Sequence, residues 1–214
     1  MKKLVILTSV LAWMICMLPS MALAVPSFYS DRSTWETVVG DWADVDLAGQ
    51  VADGDILSAG DSIALPEYPG NRSLSFDVDL AGRQVPTSWA TWSGGEEPRL
   101  LYSGFGVTSV TGNFSGTVHA FGVEMEPNPF DAYLMVLFAD GTQLQQLVSG
   151  DSGAKFFGFT SDLAITSLTM SSDVDFAFGR MVVDASPVPE PSTLLLLGGG
   201  ILGLVYYGRR RMTA

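Results

Sequence analysis

An all-β fold, an antiparallel β-sandwich of jelly-roll type with one short N-terminal helix, is predicted by three features of the sequence. Apolar and polar residues alternate with period two through much of residues 73–183. Gly, Pro and Asp interrupt these stretches at short intervals, as turns between antiparallel strands require. Only one stretch, around Trp35, carries a helical period. Apolar segments flank this body, dividing the chain into 1–24, 25–187 and 188–214.

Lys2 and Lys3 precede an apolar stretch from Leu4 to Leu18, followed by Pro19 and Ala22-Leu23-Ala24. This is the layout of a secretory signal peptide, with cleavage expected after Ala24. A permanent amino-terminal anchor is the rival, and the small residues Ala22 and Ala24 speak against it. The single cysteine, Cys16, lies in this segment without a lipoprotein box around it. The mature chain would then hold no cysteine, which excludes disulfides, a thiol nucleophile and a zinc-thiolate site.

The helix is capped by Ser30 or Asp31, presents Trp35 with Val38 or Val39, and stops at Gly40. Strands follow. In 73–80, Leu74, Phe76, Val78 and Leu80 face one way and Ser73, Ser75, Asp77 and Asp79 the other. Residues 117–126 alternate similarly, and 133–138 and 142–148 flank Asp140-Gly141, a two-residue hairpin turn signal. Further strands are expected over 154–160, 163–170 and 175–183. The irregular stretch 81–98, rich in Pro, Gly and Ser, reads as a surface excursion.

All 23 acids lie between Asp31 and Glu190, whereas five of the 11 bases belong to the two terminal segments. The exported part therefore carries 23 acids and six bases, a net charge of −17. Such a surface repels nucleic acid and anionic lipid and suits cations or neutral glycans, although solubility alone would also account for it.

Candidates for chemistry are few. His119, the single histidine, sits beside Phe121 in an alternating strand and reads as a core or sheet-face residue. Asp151-Ser152-Gly153 resembles the aspartic-protease triplet, but that chemistry needs two carboxylates sharing a proton and no second copy exists. Glu124 and Glu126 share one strand face at a separation compatible with glycoside hydrolysis. Pro127-Asn128-Pro129 follows at once, so an exposed strand end is the stronger reading. The pairs Asp44/Asp46, Asp53/Asp55 and Asp173/Asp175 are weak calcium candidates without EF-hand spacing, and read better as turn formers. Trp89 and Trp92, with Tyr102 nearby, would stack on sugars if exposed and belong to the core otherwise. No other cofactor is expected.

The tail is more specific. Pro189 and Pro191 have fixed φ and push Val188 and Glu190 out of the α region, giving an extended peptide. An apolar run over 193–207 follows, about 22 Å long at ~1.5 Å per residue, against a hydrocarbon layer of ~30 Å. Tyr206 and Tyr207 at the headgroups, snorkelling arginines and local thinning make up the difference. A buried helix of a soluble domain is the rival reading. Gly198, Gly199 and Gly200 argue against it, each disfavouring a soluble helix by about 1 kcal/mol relative to Ala. Arg209, Arg210 and Arg211 then act as a membrane stop with the C-terminus cytoplasmic.

Val188-Pro189-Glu190-Pro191 (motif 188–193), the apolar run and the arginine cluster 209–211 together resemble the PEP-CTERM sorting signal of Gram-negative bacteria that make exopolysaccharide. The resemblance implies an exosortase-type membrane protease as partner, cutting at or beside the motif, with an inner-membrane intermediate. Phe28-Tyr29-Ser30-Asp31-Arg32, Ala120-Phe121-Gly122-Val123 and Phe156-Phe157-Gly158-Phe159-Thr160 resemble sandwich bodies attached to such tails. The expected protein is an exported, non-enzymatic cell-surface or biofilm-matrix component that binds glycan or builds structure within exopolysaccharide. The competing expectations are a secreted glycan hydrolase using Glu124 and Glu126, and a permanently anchored membrane protein.

Overall fold

The computed structural model of the protein describes residues 26–66, 71–92, 95–151 and 153–185. The expected signal peptide with Ala22 and Ala24, the motif Val188 to Pro191, the span 193–207 and Arg209 to Arg211 lie outside the described residues. Among those described, no helix is long and apolar enough to cross a membrane.

Two antiparallel sheets face each other. The early part of the chain supplies β1 (Ser27–Tyr29), α1 (Arg32–Val39), β2 (Trp42–Asp44), β3 (Ile56–Leu57), β4 (Ser62–Leu65), β5 (Arg72–Phe76) and β6 (Leu80–Gln84). Then come β7 (Arg99–Tyr102), β8 (Ser109–Ser115), β9 (Ala120–Pro127) and β10 (Asp131–Phe138). The last four are β11 (Gln143–Ser149), β12 (Lys155–Thr160), β13 (Ser167–Ser171) and β14 (Phe176–Asp184).

The large sheet runs β1-β12-β9-β14-β7-β6-β3, with β2 also paired to β14, and the small sheet runs β11-β10-β13-β8-β5-β4. From β7 onward the order is that of a jelly roll. The run β7-β14-β9-β12 opposes β8-β13-β10-β11, and every connection but the β10–β11 hairpin crosses between sheets. Inward residues of both sheets, among them Leu74, Phe76, Leu101, Phe121, Val123, Met125 and Phe178, form one core. Full burial of each is worth about 1.5–3 kcal/mol.

The helix forms as expected. The Asp31 carboxylate accepts the Thr34 N–H at 2.8 Å, and Gly40, at φ 77°, donates its N–H to the Glu36 carbonyl. Trp35 is fully buried, while Val38 is exposed.

Several boundaries differ from expectation for identifiable reasons. The alternation over 73–80 is not one strand: β5 ends at Phe76 in the small sheet and β6 begins at Leu80 in the large one. Asp77 and Asp79 accept the backbone N–H groups of Thr111 and Ala59 at the crossing, at 2.6 and 2.8 Å. The period persists because Leu74, Phe76, Val78 and Leu80 all face the same core from opposite sides. The β10–β11 hairpin exists, but Phe138 N–H bonds the Thr142 carbonyl at 2.9 Å, so three residues form the loop, with Gly141 left-handed at φ 87°. A type I turn closed by a left-handed glycine explains the extra residue. The expected strand over 163–170 begins only at Ser167, with Leu163 exposed. The stretch 81–98 is strand as far as Gln84; of the described residues that follow, Val85, Trp89 and Trp92 are buried on the large sheet, while Pro86, Thr87, Ala90 and residues 95–97 are exposed as a surface stretch should be.

Candidate functional site

The outward face of the large sheet gathers Glu124, Glu126, Trp89, Trp92 and Tyr102, and it is covered. At one end α1 lays Trp35 over β9 and β12. Its indole N–H donates to the Phe159 carbonyl at 3.0 Å, and its ring meets Phe156 edge-on at 6.0 Å. Gly122 and Gly158 make this approach possible. A Cβ at Gly158 would stand 2.4 Å from the Phe156 ring and 2.7 Å from Trp35, and one at Gly122 would stand 2.4 Å from Phe156.

At the other end residues 85–92 fold back over β9, burying Trp89 and Trp92 beside Val85, Leu100 and Tyr102. Beneath them point Glu124 and Glu126, only 6% and 0% exposed. This corrects the expectation of an exposed strand end. The strand continues to Pro127, and a segment some thirty residues earlier in the chain decides the burial. The tryptophans are likewise core, not open stacking surfaces.

Each carboxylate oxygen already has a partner. Glu126 accepts the Trp89 indole N–H at 3.3 Å, the Thr91 hydroxyl, and the Ala154 N–H at 3.1 Å. Glu124 accepts the Trp92 indole N–H at 3.0 Å and lies 3.1 Å from the Arg180 guanidinium and 3.8 Å from that of Arg32. Removal from water pushes both carboxyls above the usual glutamate range, more than these donors pull them down. Arg180 reaches Glu124 because β14 bulges between Gly179 and Val182, with Arg180 itself left-handed at φ 44°. General acid–base chemistry needs carboxyls that meet substrate or water. Here the protein's own indoles occupy that place.

Beside Arg180 a surface cavity of about 310 Å³ is lined by Asp44, Asp46, Leu47, Pro98 and Arg99 among others. Asp44 is already bound to Arg32 at 2.6 Å. Asp46 caps Gly49 at 2.9 Å, and the Arg99 guanidinium stands 3.9 Å from Asp53.

Elsewhere the expected site residues are dispersed. Asp175 accepts the Tyr102 hydroxyl and, at 2.9 Å, the Asn128 amide N–H, while Asp173 stands in the turn before it. Asp53 accepts the Ser88 hydroxyl at 2.6 Å and the Gln84 N–H at 2.8 Å. Among the described residues no group of three or more His, Cys, Asp or Glu side chains is arranged to hold a metal ion. His119 is half-buried, its Nδ1 3.1 Å from the Ser161 carbonyl. Asp151 is an exposed turn residue, and Ser152 lies outside the described residues.

Sequence reasoning missed Arg180, Thr91 and Arg32 as partners of the glutamates. The available signal was a pair of acidic residues on an otherwise apolar strand, opposite a tryptophan-bearing loop.

Comparison with known proteins decides the tail. Residues 187–211 match the PEP-CTERM protein-sorting motif. This PEP-CTERM tail coincides with the segment whose prolines, apolar run and arginines stand in that order. None of the curated proteins compared with the chain matches it. Solved structures similar to the chain include CBM51 from Clostridium perfringens GH95 in complex with methyl-galactose, at 12% identity, covering 63% of this chain and 90% of that one, with a TM-score of 0.28. A carbohydrate-binding module of family 29 is 12% identical over 72% of this chain and 96% of that one, with a TM-score of 0.28. A cleaved adhesin domain of Lys-gingipain is 14% identical over 74% of this chain and 99% of that one, with a TM-score of 0.22.

Proposed function

We propose that the chain is an exported protein of the bacterial cell surface or exopolysaccharide matrix, processed through its PEP-CTERM tail by an exosortase-type protease, with a non-catalytic body that binds glycan. The match of residues 187–211 to the sorting motif carries this reading. The signal-peptide layout of residues 1–24 supplies the route of export, and the arginine stop supplies the inner-membrane intermediate. The body's net charge of −17 favours a neutral partner over nucleic acid or anionic lipid. The non-catalytic part is supported by the burial of Glu124 and Glu126, whose oxygens are engaged by the Trp89 and Trp92 indoles, the Ala154 N–H and the Arg180 guanidinium.

Mass spectrometry of the mature C-terminus, in hosts with and without the exosortase, tests the sorting. A terminus near Pro189 or Glu190 that appears only with the protease supports it, and surface protein ending beyond Arg211 in both hosts overturns it in favour of a permanent anchor. The hydrolase alternative predicts that E124Q and E126Q abolish polysaccharide turnover. The non-catalytic reading expects no turnover by the wild type.

A further inference from the structure

The outward face of the small sheet is the opposite of the covered one: bare, and almost free of charge. Ser62, Ser75, Asn113 and Ser167 stand side by side in one row across β4, β5, β8 and β13. In the next row Thr111 and Thr169 lie beside Leu137 and Gln143, and in a third Ser109 and Ser171 lie beside Met135 and Gln145. All these positions are half-buried or exposed. Charge is confined to two margins of this face: Asp131 on β10, and Asp77 just past the end of β5, where its carboxylate accepts the Thr111 N–H at 2.6 Å.

A body of 23 acids and six bases would be expected to place several charges on a six-stranded surface. Outward strand positions and sheet edges are where charge commonly keeps proteins apart. Their omission here leaves an array of hydroxyls and amides, each able to donate and accept. The array is partly organised, with the Thr111 and Thr169 hydroxyls 3.2 Å apart. Along β10 it borders an apolar strip, Tyr133, Met135 and Leu137, with Leu147 opposite Tyr133. Tyr133 is 54% exposed and Leu147 47% exposed.

We infer that this face binds a neutral polysaccharide chain. Its apolar C–H faces would lie on the Tyr133 strip and its hydroxyls on the serine, threonine and asparagine rows. The inference rests on the glycan-binding reading and adds the site and the ligand class. A pyranose chain is amphipathic in this way, with C–H patches on the ring faces and hydroxyls around the edge. Charge decides the class. An acidic polymer would meet no cation on this face and would be repelled by the body's surplus acids. A neutral one can lie across the rows between Asp77 and Asp131 without desolvating either carboxylate.

The test uses the full-length protein in affinity electrophoresis and pull-down against dextran, laminarin and galactomannan, with alginate and polygalacturonate as acidic comparators. Retention by at least one neutral polymer, little changed by salt, is expected. The double variant S75E/N113D, which puts two carboxylates in the hydroxyl row, and Y133A, which removes the ring, should each weaken it about tenfold or more. Melting temperatures should stay within about 2 °C of wild type, since these are surface positions. Wild-type retention that both variants keep in full overturns this site and leaves glycan binding standing. Wild-type failure on every neutral polymer overturns both. Preferential retention by the acidic polymers overturns the ligand class. Concentration-dependent self-association lost in S75E/N113D, without retention, assigns the face to a second copy and overturns the inference.

Discussion

The two outward faces of the sandwich are both built from antiparallel strands and end in opposite states. On the large sheet, three tryptophans carried by α1 and by residues 85–92 turn the outer face into satellite cores, with Trp35, Trp89 and Trp92 all below a tenth exposed. On the small sheet nothing lies over the rows led by Ser75 and Thr111 among the described residues. The covered face stabilises the fold, and the bare one is free to meet a partner. Substitutions that weaken stability should therefore separate from those that weaken binding, according to which face they touch.

The largest expected effect comes from opening the covered face at its helical end. Trp35→Ala removes a fully buried indole and its hydrogen bond to the Phe159 carbonyl. A loss of about 3–5 kcal/mol is expected. In thermal denaturation this is a fall of about 10 °C or more. The neutral loss should be nearly the same at pH 5 and pH 8, because a backbone carbonyl does not titrate.

A smaller effect is expected from filling the space on which that indole rests. Gly158→Ala places a methyl group against Phe156 and Trp35, two rings already boxed by their neighbours. Overpacking of this kind costs about 1–3 kcal/mol. Combining it with Trp35→Ala should give less than the sum of the two losses in urea unfolding, since the first change frees room for the second.

Part of this arrangement was legible in the sequence. The Asp31 cap, Trp35 and Gly40 identify α1, and the apolar run before Asp140-Gly141 identifies the β10–β11 hairpin, because both signals are local. The crossing at Asp77 to Asp79 was hidden because a chain passing from one sheet to the other keeps the same inward period. The fate of Glu124 and Glu126 was hidden more deeply. Their strand announces alternation, but whether an outward residue meets water depends on where a distant loop comes to rest. The serine and threonine rows share this property: Ser73 and Ser75 are visibly outward, whereas their alignment with Asn113 and Ser167 exists only once four strands have paired.

The tryptophan-loop end differs from the helical end in one respect that pH can expose, because its indoles donate to ionisable groups. The folded-state pKa of Glu126 lies above its ordinary value of 4.5, through burial first, with Thr91, Trp89 and Ala154 opposing it. Between 4.5 and that raised value the folded protein keeps a proton that the unfolded chain has released. Stability from this group is thus complete below about 4.5 and is lost as pH rises through the folded value. Glu126→Gln removes the ionisation but sets an amide against donors, so one hydrogen bond fails. A loss of about 1 kcal/mol is expected at pH 4. The deficit should narrow or reverse by pH 8, where the wild type holds a desolvated carboxylate. A wild-type-minus-variant difference that grows with pH in urea unfolding would show instead that the donors from the loop outweigh burial, with Glu126 anchoring the tryptophans as an anion.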